Sequence, residues 1–203
     1  MTAAPDDGSG TRVMVNVLGH FDVWHGERDL TPPRGRASEL VQLLALHDGV
    51  MHRDTLAAAL WPDDPPWTGR QLLRNVLWRV RTHTGDLVTR DPHRDLIRFA
   101  NPVRIDLTEF LTATASAIRL VRTDPAAAIA EGTRALMLHR GPLLLDQPFA
   151  EWAHAERRHV GERQRLVYEA LADACDQLGD TFGARFHREH AAACHREDVL
   201  FGR

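Results

Sequence analysis

Lysine is absent from this chain of 203 residues, so all 25 of its basic side chains are arginine. Together with heavy use of alanine, this reads as the product of a GC-rich genome, which concerns source and not chemistry. Net charge is also lacking: at −3 it supplies no global field that would draw the protein onto nucleic acid or membrane, and any such binding needs a local patch. Only two cysteines are present, Cys175 and Cys194, both in helical-looking sequence, which suggests a reducing interior and not a disulfide framework. No apolar run reaches membrane-spanning length, and MTAAPDDGSG lacks the basic-then-apolar order of a signal peptide. A cytoplasmic protein with a disordered tail over residues 1–11 is expected. Catalytic signatures are missing as well: no Gly-rich phosphate loop, HExxH, CxxC or Gly-x-Ser-x-Gly elbow occurs. His47-Asp48 offers a base with no recognisable nucleophile. Neither an enzyme nor a bound cofactor is expected.

What is present is a local concentration of cations. Between Thr68 and Phe99, Arg70, Arg74, Arg79, Arg81, Arg90, Arg94 and Arg98 face only Asp86, Asp91 and Asp95. The stretch Thr68–Thr84 has helical periodicity. At about 100° per residue, Leu73, Val76, Leu77 and Val80 form one stripe, and Arg70, Gln71, Arg74, Asn75, Trp78 and Arg81 lie on the opposite arc. Arginine can pair bidentately with guanine and asparagine with adenine, so this face suits duplex DNA. An ordinary solvated helix face is the competing explanation for the helix taken alone.

The surroundings favour DNA. Val13, Val15, Leu18, Phe21, Val23 and Leu30 suggest a short β-meander turning at His25-Gly26-Glu27. Leu40, Leu43, Leu44 and Leu46 then mark a helix ending near Asp48-Gly49. A second helix runs from Arg53 through Leu56, Leu60 and Trp61 to Pro62, and the loop Asp63–Pro66 leads to Thr68 as an expected cap. Leu87–Arg90 and Leu96–Phe99 flank the polar turn Asp91–Asp95 as a hairpin. Sheet, three helices and hairpin is the plan of a winged helix-turn-helix, with the amino-terminal meander of the OmpR type. The segments VNVLGHFDVWHGERDL, GVMHRDTLAAALWPDD, LLRNVLWRVR and Val103–Leu107 together resemble the amino-terminal half of the Streptomyces antibiotic regulatory protein family of transcriptional activators.

From Asp106 onward the chain reads as wholly helical, with Glu109–Val121 and Pro125–His139 as a hairpin. The stretch beginning RGPLLLDQPFAEW and running into a long Glu-Arg-rich helix resembles that family's bacterial transcriptional activation domain. One tetratricopeptide-like unit is legible directly: Tyr168, Leu171, Ala172, Cys175, Gly179, Ala184 and Ala191 fall at the spacings of a 34-residue repeat. Arg188 replaces its usual second-helix aromatic and Arg196 its terminal proline, and family members continue with further repeats beyond the position of Arg203. The expected fold is therefore an α+β winged helix-turn-helix domain over residues 12–103, followed by an all-α tetratricopeptide-like domain over 104–203. The resemblance implies an actinobacterial, DNA-binding activator that binds direct repeats, self-associates on DNA and contacts RNA polymerase. No phosphoacceptor receiver domain precedes the winged helix in this sequence.

Within that frame, Arg70, Gln71, Arg74 and Asn75 are placed toward the groove-entering end of the helix and Arg81 toward phosphate. An exposed Trp78 can stack on sugar or cover a contact between domains, the latter being favoured. Arg90, His93 and Arg94 form the tip of a wing able to reach the minor groove or its phosphates, and Arg53 can sit near the backbone. His187, His190, Cys194 and His195 share one helical face with metal-competent chemistry, but ligands strung along one helix are too spread to converge on an ion, and no metal site is expected. A rival from another class remains: a protein-interaction adaptor whose winged helix has lost useful DNA affinity. Asp63-Asp64, just ahead of the cationic helix, lean slightly that way by repelling phosphate.

Overall fold

Alternating apolar residues at the start of the chain pair as expected in a computed structural model that describes residues 12–201, with side chains as far as Cys194. The tail 1–11 and the side chains of His195 and Arg196 lie outside the described residues. Two units are distinguished by the clustering of their contacts. One takes the described residues up to Val15 and Asp22–Ile105; the other takes Asn16–Phe21 and the described residues from Asp106.

In the first unit, β1 (Val13–Asn16), β2 (Asp22–His25) and β3 (Arg28–Asp29) make the meander. Helix α1 (Arg36–Leu46) follows and buries Leu40, Val41, Leu43 and Leu44. It stops where the Leu44 carbonyl accepts from the amides of His47 (3.1 Å) and Gly49 (2.8 Å). Gly49 is left-handed at φ 80°, and a Cβ there would stand 2.9 Å from the Phe99 ring, so a side chain is excluded twice over. Next comes β4 (Val50–His52), a strand with no sequence signal, because three residues are too few to display alternation. Helix α2 (Arg53–Leu60) begins with the His52 Nδ1 accepting from the Asp54 amide.

Helix α3 spans Pro66–Thr84, starting ahead of the expected Thr68. Pro65 occupies the cap position and Pro66 the first turn, where a missing N–H costs nothing, so Thr68 lies inside the helix and caps nothing. Leu73, Val76 and Val80 are buried and Leu77 is half-buried. After α3, β5 (Val88–Asp91) and β6 (Leu96–Phe99) form the hairpin, and β4 joins its other side in the order β4-β6-β5 with Met51 opposite Ile97. Finally β7 (Arg104–Ile105) pairs parallel with β1, completing a second sheet ordered β3-β2-β1-β7. Leu40, Leu44, Leu56, Leu60, Leu73 and Ile97 are fully buried in this three-helix, two-sheet winged helix.

The second unit is helical: α4 (Asp106–Leu120), α5 (Pro125–Leu138), α6 (His154–Gln177) and α7 (Thr181–Phe201), with one 3-10 turn at Glu151–Ala153. Asp124 caps α5 through the Ala127 amide at 3.0 Å. Gly132 lets α5 approach α6 so closely that a Cβ would lie 2.8 Å from Leu171. The α6–α7 pair has the tetratricopeptide-like packing expected: Leu171, Ala172, Cys175, Ala184 and Ala191 are buried, Tyr168 is half-buried, and Gly179 breaks α6 at φ 77°. Arg188 points outward to an ion pair with Asp176.

Asn16–Phe21 belongs to this helical unit, which departs from a continuous winged-helix span over 12–103. The amides of Val17 and Leu18 donate to the buried Asp106 carboxylate at 2.9 and 3.0 Å. Gly19 donates to the Pro142 carbonyl, and Leu144 and Leu145 donate back to Val17 and Gly19. The loop that closes against this segment is held by Arg157, whose guanidinium donates to the carbonyls of Leu143, Gln147, Pro148 and Ala150.

Candidate nucleic-acid interface

The exposed arc of α3 carries every side chain placed there by periodicity: Arg70, Gln71, Arg74, Asn75, Trp78 and Arg81 all face solvent. Their buried counterparts fix which way the helix is rolled, because turning the arc inward would expose Leu73 and Val80, which are 1% and 0% accessible. Trp78 is 67% exposed, leaving its indole available to a partner. Trp67, at the start of the helix and 65% exposed, does not stand out in the alternation of polar and apolar residues because an indole counts as apolar.

The cations are not equivalent. Arg70 donates from Nε and Nη2 to the two Asp54 oxygens at 2.8 and 2.5 Å, a bidentate fork from α3 to α2. The guanidinium of Arg70 lowers the Asp54 pKa, and the carboxylate in turn raises that of Arg70. Arg53 lies between Asp54 (3.3 Å) and Asp95 (3.0 Å), and Arg90 also reaches Asp95 at 3.1 Å. Three arginines and two aspartates thus alternate from α3 across the start of α2 to the hairpin. Arg53 also donates its backbone amide to the Asp95 carbonyl at 2.7 Å. Asp54 and Asp95, silent in the sequence because their partners are distant along the chain, link the wing to the helix-turn-helix beside the β4–β6 pairing.

By contrast, Arg74 and Arg81 on α3, and Arg94 in the hairpin turn, make no ion pair among the described residues. The turn itself is shaped by Asp91, whose Oδ1 accepts from the amides of His93 and Arg94 at 3.0 and 3.2 Å, so that both side chains stand exposed at the tip. Arg90 is exposed one strand residue earlier but tethered to Asp95. The surface therefore combines three uncommitted guanidiniums with two committed ones, Arg70 and Arg90, that a polyanion must draw away from carboxylates.

In the helical unit, His187 and His190 lie among rings, with His190 centroids 4.1 Å from Phe186 and 5.3 Å from Tyr168. Among the described residues no group of three or more His, Cys, Asp or Glu side chains is placed to hold a metal ion. No described helix is long and apolar enough to cross a membrane.

Comparison with known proteins bears on both units. Residues 105–199 match the family model of the bacterial transcriptional activator domain. The structure of Mycobacterium tuberculosis EmbR in complex with a low affinity phosphopeptide is similar in fold, with a TM-score of 0.69 and 20% sequence identity. That similarity covers 94% of this chain and 50% of the EmbR chain, so the present chain spans about half of that protein's length. No curated protein matches this chain in sequence.

Proposed function

We propose that this chain is a sequence-specific regulator of transcription, an activator of the type to which its sequence shows resemblance, with α3 in the major groove of duplex DNA and the β5–β6 hairpin against the flanking backbone. The observation that carries the reading is the exposed arc of α3, where Arg74 and Arg81 stand without carboxylate partners beside Gln71 and Asn75. An amphipathic helix that merely faced solvent would gain by pairing such arginines with acids one turn away. The bacterial transcriptional activator domain match over residues 105–199 supports a role at promoters, with RNA polymerase and a second DNA-bound copy as partners of the helical unit in the cytoplasm.

In this reading Arg74, Gln71 and Asn75 address base edges, Arg81 a phosphate, and His93 and Arg94 the neighbouring groove or its backbone. Arg70 and Arg90 contribute only after exchanging Asp54 and Asp95 for phosphate, an exchange that leaves two carboxylates near the backbone and makes them weak contributors to affinity. A single winged helix with so few free cations binds poorly at physiological salt, so two copies on direct repeats about 10 to 11 base pairs apart are expected to bind cooperatively.

A mobility-shift titration on duplexes from the gene's own upstream region, at low and moderate salt, tests the proposal. Arg74→Ala should weaken specific binding by about 1 to 3 kcal/mol, and Arg94→Ala should weaken all duplexes alike. Inserting about five base pairs between the repeats should abolish cooperativity. Absence of any duplex preference at low salt would favour the protein-docking adaptor instead.

A further inference from the structure

Two large indoles project from the same cationic face, each with most of its surface open to solvent. Trp67 and Trp78 are 65% and 67% exposed. Separated by three helical turns, they differ by only about 20° around the axis at 100° per residue. Gln71 and Arg74 lie between them on the same stripe, with Arg81 one turn beyond. The order along the exposed line of α3 is therefore indole, amide, guanidinium, indole, guanidinium. At about 1.5 Å per residue, the indoles stand roughly 16 Å apart, close to five base-pair steps of about 3.4 Å.

Exposed tryptophan costs solubility and needs an apolar partner, yet the uncommitted arginines around these two attract an anion. An ordinary hydrophobic protein surface meets the first requirement and fails the second. A duplex meets both where its major groove presents an apolar group to a helix lying in it, and the thymine 5-methyl is that group. We infer that Trp67 and Trp78 read thymine methyls at two positions of the binding site, on either side of the base pairs addressed by Gln71 and Arg74. The inference rests on the DNA-binding reading above and adds to it what the flanking bases must be. The expected half-site is a guanine-containing centre with thymines about five steps apart, and it is specified at its ends by shape and methyl burial in place of hydrogen bonds.

The methyl can be deleted without disturbing base pairing, because deoxyuridine differs from thymidine by that group alone. Duplexes enriched by the full chain from a randomised pool are resynthesised with deoxyuridine at single positions and titrated by fluorescence anisotropy. Two thymines per half-site should respond, each substitution weakening binding about fourfold, as the burial of one carbon implies. Trp67→Ala should remove the sensitivity at one position and Trp78→Ala at the other, while Arg74→Ala leaves both sensitivities in place. Because both indoles are largely exposed, the variants keep the wild-type circular dichroism spectrum. If duplexes are enriched and depend on Arg74, but uridine is tolerated throughout, the methyl-reading inference is overturned and the DNA-binding reading stands. Methyl reading is equally overturned if the alanine variants discriminate thymine from uracil as well as wild type. If no duplex is enriched at all, both fall.

Discussion

Replacing Asp106 should unlock the helical unit from its own amino-terminal segment. The carboxylate is 2% exposed and accepts from three amides, Val17 at 2.9 Å, Leu18 at 3.0 Å and Leu107 at 2.8 Å, with Arg140 Nη2 3.5 Å from Oδ2. Val17 and Leu107 donate to Oδ1 and Leu18 donates to Oδ2. Asp106→Asn therefore keeps one acceptor and sets an NH2 against the Leu18 amide if the amide oxygen takes the Oδ1 position, stranding one buried donor at about 1 to 3 kcal/mol. Asp106→Ala strands the Val17, Leu18 and Leu107 donors and leaves Arg140 without this charge. Burial works in the opposite direction, raising the Asp106 pKa against the pull of the three amides and Arg140, so part of the loss is offset by removing a carboxylate that was costly to desolvate. The net cost expected for alanine is about 3 to 5 kcal/mol, a large part of a typical domain's stability. Urea unfolding of the full chain followed by circular dichroism measures the total, and amide hydrogen exchange locates it. Protection at Val17 and Leu18 should fall in both variants, more in alanine. If both amides stay protected and the alanine variant unfolds at the wild-type urea concentration, the carboxylate is not what fastens the segment.

Arg157→Lys should destabilise the helical unit by about 2 to 4 kcal/mol despite keeping the charge, because an ammonium cannot address four carbonyls in a planar fan; thermal melts compared with Arg157→Ala should show lysine recovering little. Gly132→Ala ordinarily gains about 1 kcal/mol in a helix, but its Cβ would lie 2.8 Å from Leu171, so a net loss of about 1 to 3 kcal/mol is expected in denaturant titrations, partly relieved by Leu171→Ala. Burial lowers the pKa of His139, and burial with His190 nearby lowers that of His187, below the ordinary 6.5. The folded state then binds fewer protons than the unfolded one, so stability is full above pH 6.5 and is lost as pH falls through the folded values. Urea midpoints measured between pH 7.5 and 5 should drop on the acid side, and less so in a His139→Gln, His187→Gln double variant.

How much of this is legible in the sequence depends on the distance over which each feature is encoded. Helix α3 and the β5–β6 hairpin are written in local periods, and the exposed arc of Arg70, Gln71, Arg74, Asn75, Trp78 and Arg81 follows from the burial of Leu73 and Val80. The small-residue spacing of α6 and α7 is equally local. Strand β4 has no such signature, because three residues carry no period. Asp54 and Asp95 give no signal, since what ties them to Arg70, Arg53 and Arg90 is adjacency in space across α2, α3 and the hairpin. In sequence Arg157 is one more charge in an Arg-rich helix, and only the carbonyls of Leu143, Gln147, Pro148 and Ala150 distinguish it. Trp67 is hidden by its hydrophobicity, which sequence patterning assigns to cores.

The path of Asn16–Phe21 has a bearing on how such proteins can be recombined. This segment lies between two strands of the winged helix, yet its partners, from Asp106 to Asp146, are 88 to 127 positions away along the chain. A chimera joined at the single seam near Ile105 would couple one parent's Val17 and Leu18 to the other parent's Asp106 and Leu144. Grafting a foreign winged-helix half onto this helical half therefore requires two exchanges, the larger block and a six-residue insert that stays behind. Homologous shuffling that ignores the insert should yield mismatched hybrids even where every helix is intact. Residues ahead of the winged helix's first helix thus inherit their constraints from the helical unit.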